Sequence, residues 1–321
     1  KDEKVSEQRV NDAVSRILRL KFQLGLFDDP FKYCDEVREK EDIYNKENFD
    51  LAYEAALKSI VLLKNEKDLL PISNNKKSIA LIGPLAYDKN SPLGNWRGRA
   101  KDNSAVSILE GLKNKLPETT NLTYHKGVDF VEGGENFMTP LQINTTDDSK
   151  IQEAVDLAKN KDQVILVVGE NAYQSGEGRS QADISLPGLQ KQLVKSVYKA
   201  NPNTILVLMN GRPMDISWSA DHIPAIVEAW HLGSQAGNAI ADVLLGNYNP
   251  SGKLPVTFPA DSGQEPLYYN HKNTGRPTAN NNEVIYSHYT DVKDEPVFPF
   301  GFGLSYTTFE YGGISLDKDT F

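Results

Sequence analysis

Four runs of the sequence, "SIALIG" (78–83), "QVILVVG" (163–169), "NTILVLMNG" (203–211) and "IPAIVEAW" (223–230), are apolar without alternation. A strand wetted on one side alternates polar and apolar residues, so these runs read as strands buried on both faces. Helical patterns lie between them: "SILEGLKNKL" (107–116), "SKIQEAVDLAKNK" (149–161) and the stretch from Pro187 to Ala200. "NLTYHKG" (121–127) is a weaker strand and "SQAGNAIADVLLG" (234–246) a further helix. This succession predicts an α/β fold, a mostly parallel sheet with helices on both faces. Such sheets hold ligands at the carboxyl ends of their strands. Gly83, Gly169 and Asn210–Gly211 fall on that rim, as does the loop after Gly169.

The two ends of the chain read differently. "SEQRVNDAVSRILRLKFQLGLF" sets Val10, Ala13, Val14, Ile17, Leu18 and Leu24 at helical spacing, with Gly25 as the cap. Its apolar stripe needs a partner, and "DDPFKYCDEVREKED" reads as a polar connector. A second helix is predicted from about Asn48 to Lys64. Beyond Gly246 the chain is rich in Pro, Gly, Asn and Tyr and has neither period, which suggests an extended segment wrapping the domain. "FPFGFGLSYTTFEYGG" (298–313) then begins an alternating, strand-like pattern.

Composition removes several classes of function. A net charge of −9 disfavours nucleic acid as a partner, since phosphate contacts need a basic face. No apolar stretch reaches the roughly 20 residues of a membrane-spanning helix. Cys34 is the single cysteine and the five histidines are not spaced as zinc ligands, so no metal site is predicted. A GxGxxG turn, a Walker loop and a GxSxG elbow are all missing, and no cofactor is expected. "NLT" and "NTT" are formal glycosylation sequons.

The loop "GENAYQSGEGRSQADISLP" (169–187) carries the candidate chemistry. Glu177, between Gly176 and Gly178, reads either as a solvated loop carboxylate or as a general acid/base on a mobile loop. Glu170, directly after the strand, is the rival carboxylate and could equally bond backbone amides on the rim. Trp96, in "SPLGNWRGR", is either a lid over the core or a platform for a sugar ring. Arg97, Arg99 and Arg179 could hold hydroxyls or carboxylates, with surface ion pairs as the alternative.

Several strings, in order along nearly the whole chain, resemble glycoside hydrolase family 3, the β-glucosidase family. They include "RVNDAVSRILRLKFQLGLFDDPF", "AALKSIVLLKNEKDLLPI", "VVGENAYQSGEGRSQADISLPGLQ", "LVLMNGRPMDI", "NPSGKLPVTFP" and "FPFGFGLSYT", the last two being the most specific. The resemblance implies a six-stranded α/β sandwich at 40–259, preceded at 1–39 by the last helix of a (β/α)8 barrel and a linker. It implies an extended wrapping segment at 260–309 and the start of a fibronectin-type domain at 310–321. The chain then corresponds to the C-terminal portion of a retaining, exo-acting β-glucosidase, inactive by itself. Glu177 matches the family's acid/base, with Glu170 as a minor alternative, and Trp96 matches the tryptophan flanking the leaving-group sugar. The nucleophile, a barrel aspartate, has no counterpart here. The implied partners are a β-linked oligosaccharide or glucoside, the barrel and the fibronectin-type domain, and the implied location is periplasmic or secreted. A β-xylosidase or N-acetylhexosaminidase of the same family, and a non-catalytic carbohydrate-binding or assembly module, remain as alternatives.

Overall fold

A computed structural model describes residues 4–73, 75–98, 100–277 and 285–318. Arg99, one of the candidate arginines, lies outside the described residues. The chain divides into two compact units, Lys1–Asp50 and Leu51–Phe321.

In the first unit the predicted stripe forms α1 (Glu7–Gln23), with the Ser6 hydroxyl accepting from Arg9 N at its start. None of its residues is buried. The polar connector is not wholly irregular, because Glu36–Asp42 forms α2. Asp35 caps it, its carboxylate accepting from the amides of Val37 and Arg38. Those bonds satisfy amides that a helix start leaves without partners.

The helix expected over 48–64 ends early. α3 covers Lys46–Ser59, and Val61–Asn65 is a strand, β1, followed by β2 (Ser78–Ile82), β3 (Asn121–His125), β4 (Gln163–Gly169), β5 (Thr204–Met209) and β6 (Ala225–Glu228). The physical reason is burial on two faces. Leu62 packs into one core while Val61 and Leu63 pack into the other, an alternation only an extended chain provides. The sheet order is β1-β6-β5-β4-β2-β3, with β1 antiparallel to β6 and all other pairs parallel.

Helices α4 (Ile108–Lys115) and α8 (Ala236–Leu245) cover one face with the end of α3. On the other face lie α5 (Ile151–Lys159) and α6 (Gln190–Ala200), with α7 (Ser217–His222) between β5 and β6. Along β4, Ile165 and Val167 face the first group while Val164, Leu166 and Val168 face the second, all without exposure. Each such side chain contributes about 1.5–3 kcal/mol by leaving water. The Ser107–Glu110 capping box starts α4, and Gly246 ends α8 in the left-handed conformation.

The segment after α8 returns to the outer edge of β1. Gly252 N donates to Ile60 O (3.1 Å), Leu304 N to Leu62 O (2.8 Å) and Leu254 N to Phe302 O (2.8 Å). Phe258 and Phe298 are buried against each other's backbone, and the Tyr306 hydroxyl donates to Val243 O at 2.8 Å. An open strand edge is thereby covered. The alternating pattern near the C-terminus forms no strand among the described residues, and Phe309, Tyr311 and Ile314 are exposed.

Candidate active site

The chain runs from β2 outward to β3, then crosses back past β2 to β4 and continues through β5 to β6. The switch in direction falls between β2 and β4, where doubly wound sheets open a crevice beyond the strand ends. The loop after β2 carries Trp96, and the loop after β4 carries Glu170 and Glu177. The topology therefore brings the sequence candidates to one edge of the crevice.

The β2 loop is ordered by its own polar groups. The Asp88 carboxylate accepts from the amides of Asn90 (2.7 Å) and Ser91 (2.9 Å), and Asn90 Oδ1 accepts from Arg97 Nη1 (3.0 Å) and Asn103 N (2.7 Å). Arg97 is also paired with Asp102 at 2.9 Å and donates to the Tyr173 hydroxyl at 3.2 Å. Arg97 is thus a strut between the two loops with its charge answered. Trp96 projects from this braced loop with 72% of its surface exposed, so it is not a lid over the core.

The two loops touch directly. Asn95 Nδ2 donates to Ala172 O at 3.2 Å, and Ala172 N donates to Ser91 Oγ at 3.3 Å. Gly176 has φ +105°, and a Cβ there would lie 2.7 Å from Asn95 Cγ. A side chain at 176 would push the neighbour of Glu177 off the neighbour of Trp96. Glu177 itself is exposed.

Arg179 reaches a third loop, the one after β3. Its guanidinium donates to Phe137 O and lies 5.7 Å from the Phe137 ring centre. Phe137, Trp96 and Tyr173 line a cleft of about 360 Å³ with Gly94, Asn95 and Arg97. Asn95, which lines the cleft, has its Oδ1 buried without a protein partner, and Arg179, outside that lining, has its Nε buried in the same way. Such groups ordinarily take a water or a ligand hydroxyl. Phe137 lies in a polar stretch, "GGENFMTP", that carries no periodic or motif signal.

Glu170 occupies a different setting. It is 2% exposed, its Oε1 lies 2.9 Å from Arg212 Nε, and its Oε2 accepts from Gly211 N at 3.4 Å. Burial pushes its carboxyl above the usual range, and the Arg212 charge opposes that shift. His231 Nε2 meets Glu170 O at 3.1 Å, and burial holds the imidazole below its usual pKa, which suits a neutral ring donating that proton. Arg212 was not singled out by sequence, although its place after the rim pair Asn210–Gly211 puts it at the same end of the sheet.

A larger hollow of about 900 Å³ lies at the opposite end of the strands, lined by Lys64, Glu66, Asp221, Asp291 and Lys293 among others. Its size does not make it the site, because none of the candidate residues reaches it. Among the described residues no three or more His, Cys, Asp or Glu side chains gather as a metal site would require. Among the same residues no helix is long and apolar enough to cross a membrane.

An open α/β sheet whose loops set an exposed carboxylate and aromatic rings at the switch point belongs with the doubly wound ligand-binding domains. Residues 60–306 match the family model described as "Glycosyl hydrolase family 3 C-terminal domain", and the chain belongs to that family. A periplasmic β-glucosidase of Salmonella typhimurium is 36% identical, covering 100% of this chain and 43% of that protein. A β-xylosidase of Formosa agariphila is 40% identical, covering 96% of this chain and 40% of that protein. The crystal structure of a β-glucosidase from Listeria innocua in complex with isofagomine superposes with a TM-score of 0.81 at 36% identity, over 96% of this chain and 40% of that one. A variant of the same enzyme in complex with laminaribiose gives the same TM-score. The chain thus spans less than half the length of these relatives.

Proposed function

We propose that this chain supplies the acid/base half of a retaining, exo-acting β-glucosidase that removes terminal β-glucosyl residues. Glu177 is the general acid/base and Trp96 the ring beside the leaving-group sugar, with Arg179 a substrate-binding residue on the same loop as Glu177. The observation that carries this reading is the contact of Gly176 with Asn95, which sets the Glu177 tip against the Trp96 loop at the switch point. Glu170 fits the role less well, since it is buried and engaged with Arg212.

A retaining reaction needs two carboxyl groups about 5–5.5 Å apart. The second is assigned to a barrel domain, as the family resemblance implies. In the first step Glu177 gives its proton to the glycosidic oxygen as the C1–O bond breaks, while the nucleophilic carboxylate forms an ester at C1. In the second, Glu177 takes a proton from water as the water oxygen displaces that ester, which regenerates both carboxyl groups. An exposed loop suits this exchange, because the same group must meet first the leaving group and then water. The barrel, a fibronectin-type domain and a periplasmic or secreted location belong to this reading. A β-xylosidase is the second reading, favoured by the relative of that name at 40% identity.

The test is Glu177→Gln in an active enzyme carrying this domain. It should lose about 10²–10⁴-fold on cellobiose, the usual worth of general acid catalysis. Formation of the glycosyl-enzyme from dinitrophenyl glucoside, whose leaving group needs little protonation, should be far less affected. Azide should restore turnover, because it attacks without a base. Equal losses on both substrates and no effect of azide would remove Glu177 from the chemistry. Comparing glucosides with xylosides on the unaltered enzyme decides between the two sugars.

A further inference from the structure

We propose that Arg212, held by Glu170, is a two-point clamp that positions the Glu177 loop. Arg212 follows the carboxyl end of β5, beyond Asn210 and Gly211. Its Nη2 donates to two main-chain carbonyls of the β4 loop, Gln174 O and, at 2.7 Å, Arg179 O. These carbonyls bracket the segment Ser175–Gly178, so one guanidinium ties down both ends of the turn that carries Glu177. Within the turn, Arg179 N donates to Gly176 O at 3.2 Å.

The clamp has its own anchor. Arg212 Nε lies 2.9 Å from Glu170 Oε1, with the arginine side chain 18% exposed and the glutamate side chain 3% exposed. A cation so far from water needs a partner, and Glu170 supplies it from the first position after β4. Glu170 N donates to Met209 O at 2.7 Å, which ties the anchor to the end of β5, the strand from which Arg212 emerges. Behind Arg212, its own carbonyl accepts from Asn210 Nδ2 at 2.8 Å. A planar guanidinium can serve two carbonyls and a carboxylate at once, which a lysine ammonium on a flexible stem does poorly.

The consequence for chemistry follows from tolerance. A general acid must come within about 2.6–3.2 Å of the oxygen it protonates. A displacement of about 1 Å can cost about 100-fold in rate. Gly176 and Gly178 give the tip its freedom, while the clamp holds the two ends of the turn and Asn95 lies against Gly176. Arg212 and Glu170 are therefore positioning residues that act through Glu177. The catalytic part of this inference rests on the acid/base reading of Glu177, and the clamp itself does not.

The experiment uses that independence. The carbonyl held at 2.7 Å belongs to the Arg179–Ser180 bond, a trypsin site, whereas Arg212 precedes Pro213 and is not cut. In this chain, Arg212→Lys and Glu170→Gln should leave the circular dichroism spectrum native and raise cleavage after Arg179 at least tenfold. If Arg212→Lys does not fold, Glu170→Gln, which keeps the shape of the side chain, carries the test alone. In an active enzyme the same variants should lower kcat/KM on cellobiose by about 10–100-fold and leave kcat/KM on dinitrophenyl glucoside little changed. Unaltered cleavage after Arg179 in a folded variant would overturn the clamp. Equal losses on the two substrates, where Glu177→Gln distinguishes them, would overturn its positioning role. If Glu177→Gln does not distinguish them while cleavage rises, the clamp holds and the acid/base reading fails.

Discussion

Glu228, the last residue of β6, is fully buried and, among the described residues, forms no ion pair. Its Oε1 accepts from Trp230 N at 2.8 Å and its Oε2 faces Asn210 Nδ2 at 3.1 Å. The first bond holds Trp230 in a left-handed conformation, φ +52°, which costs a bulky residue energy. Burial, aided by the nearby Glu170 charge and opposed by these two bonds, pushes the Glu228 carboxyl up to about 8. The proton is therefore kept in the folded state at neutral pH and lost in the unfolded one. An acid raised in this way stabilises the fold fully below its ordinary value of 4.5, and that contribution is lost as pH rises to about 8. Stability should fall with a slope of up to about 1.4 kcal/mol per pH unit across that window. Urea unfolding at several pH values should show the slope in the unaltered chain and its loss in Glu228→Gln. Parallel slopes would mean that Glu228 is not the group responsible. Trp96 makes the opposite case at the same scale. A ring 72% exposed supports little core, so Trp96→Ala should leave stability within about 0.5 kcal/mol. On the proposed reading it should raise KM for a disaccharide about 2–10-fold, the worth of a ring contact, and leave kcat nearly unchanged. A loss of stability instead would make Trp96 a structural residue.

Among the elements, the fully buried strands were the most legible in sequence, since "QVILVVG" and "NTILVLMNG" admit no one-sided burial. β1 was misread because α3 runs into it with only Ile60 between, and a helical period blends into an apolar run without a break. Ile60, Val61, Leu62 and Leu63 in succession, all buried, are the signal that a strand begins there. α7 was missed because a helix of six residues is too short to show a period. Close approach of helices was also invisible. α4 and α8 meet where Gly111 would place a Cβ 2.0 Å from Gly237 O, and Gly237 would place one 1.9 Å from Ser107 O. Backbone cannot yield as a side-chain tip does, so Gly111→Ala should cost about 3 kcal/mol or more, the upper end for overpacking. Thermal unfolding measures it, and an unchanged midpoint would show that the two helices separate freely.

At the scale of the whole molecule, the candidate site was legible only in part, and for a topological reason. Glu177 and Trp96 came from motifs, each local to its own loop. Phe137 and Arg212 come from the loops after β3 and β5, and the pairing order of the strands brings them to the two motif loops, a meeting that no local pattern records. The same division bears on activity. On the proposed reading this chain holds the acid/base and the aromatic loops, while the nucleophile belongs to a barrel domain. A dinitrophenyl leaving group needs no acid, yet it still needs the nucleophile. The chain alone should therefore fail to turn over dinitrophenyl glucoside as completely as it fails with cellobiose, whereas Glu177→Gln in a complete enzyme should still react with the former. Azide, which replaces a base and not a nucleophile held on the barrel, should not rescue the chain. Release of dinitrophenol by the purified chain at a rate comparable to that of the complete enzyme would show that a second catalytic carboxyl lies within these 321 residues and would end the half-site reading.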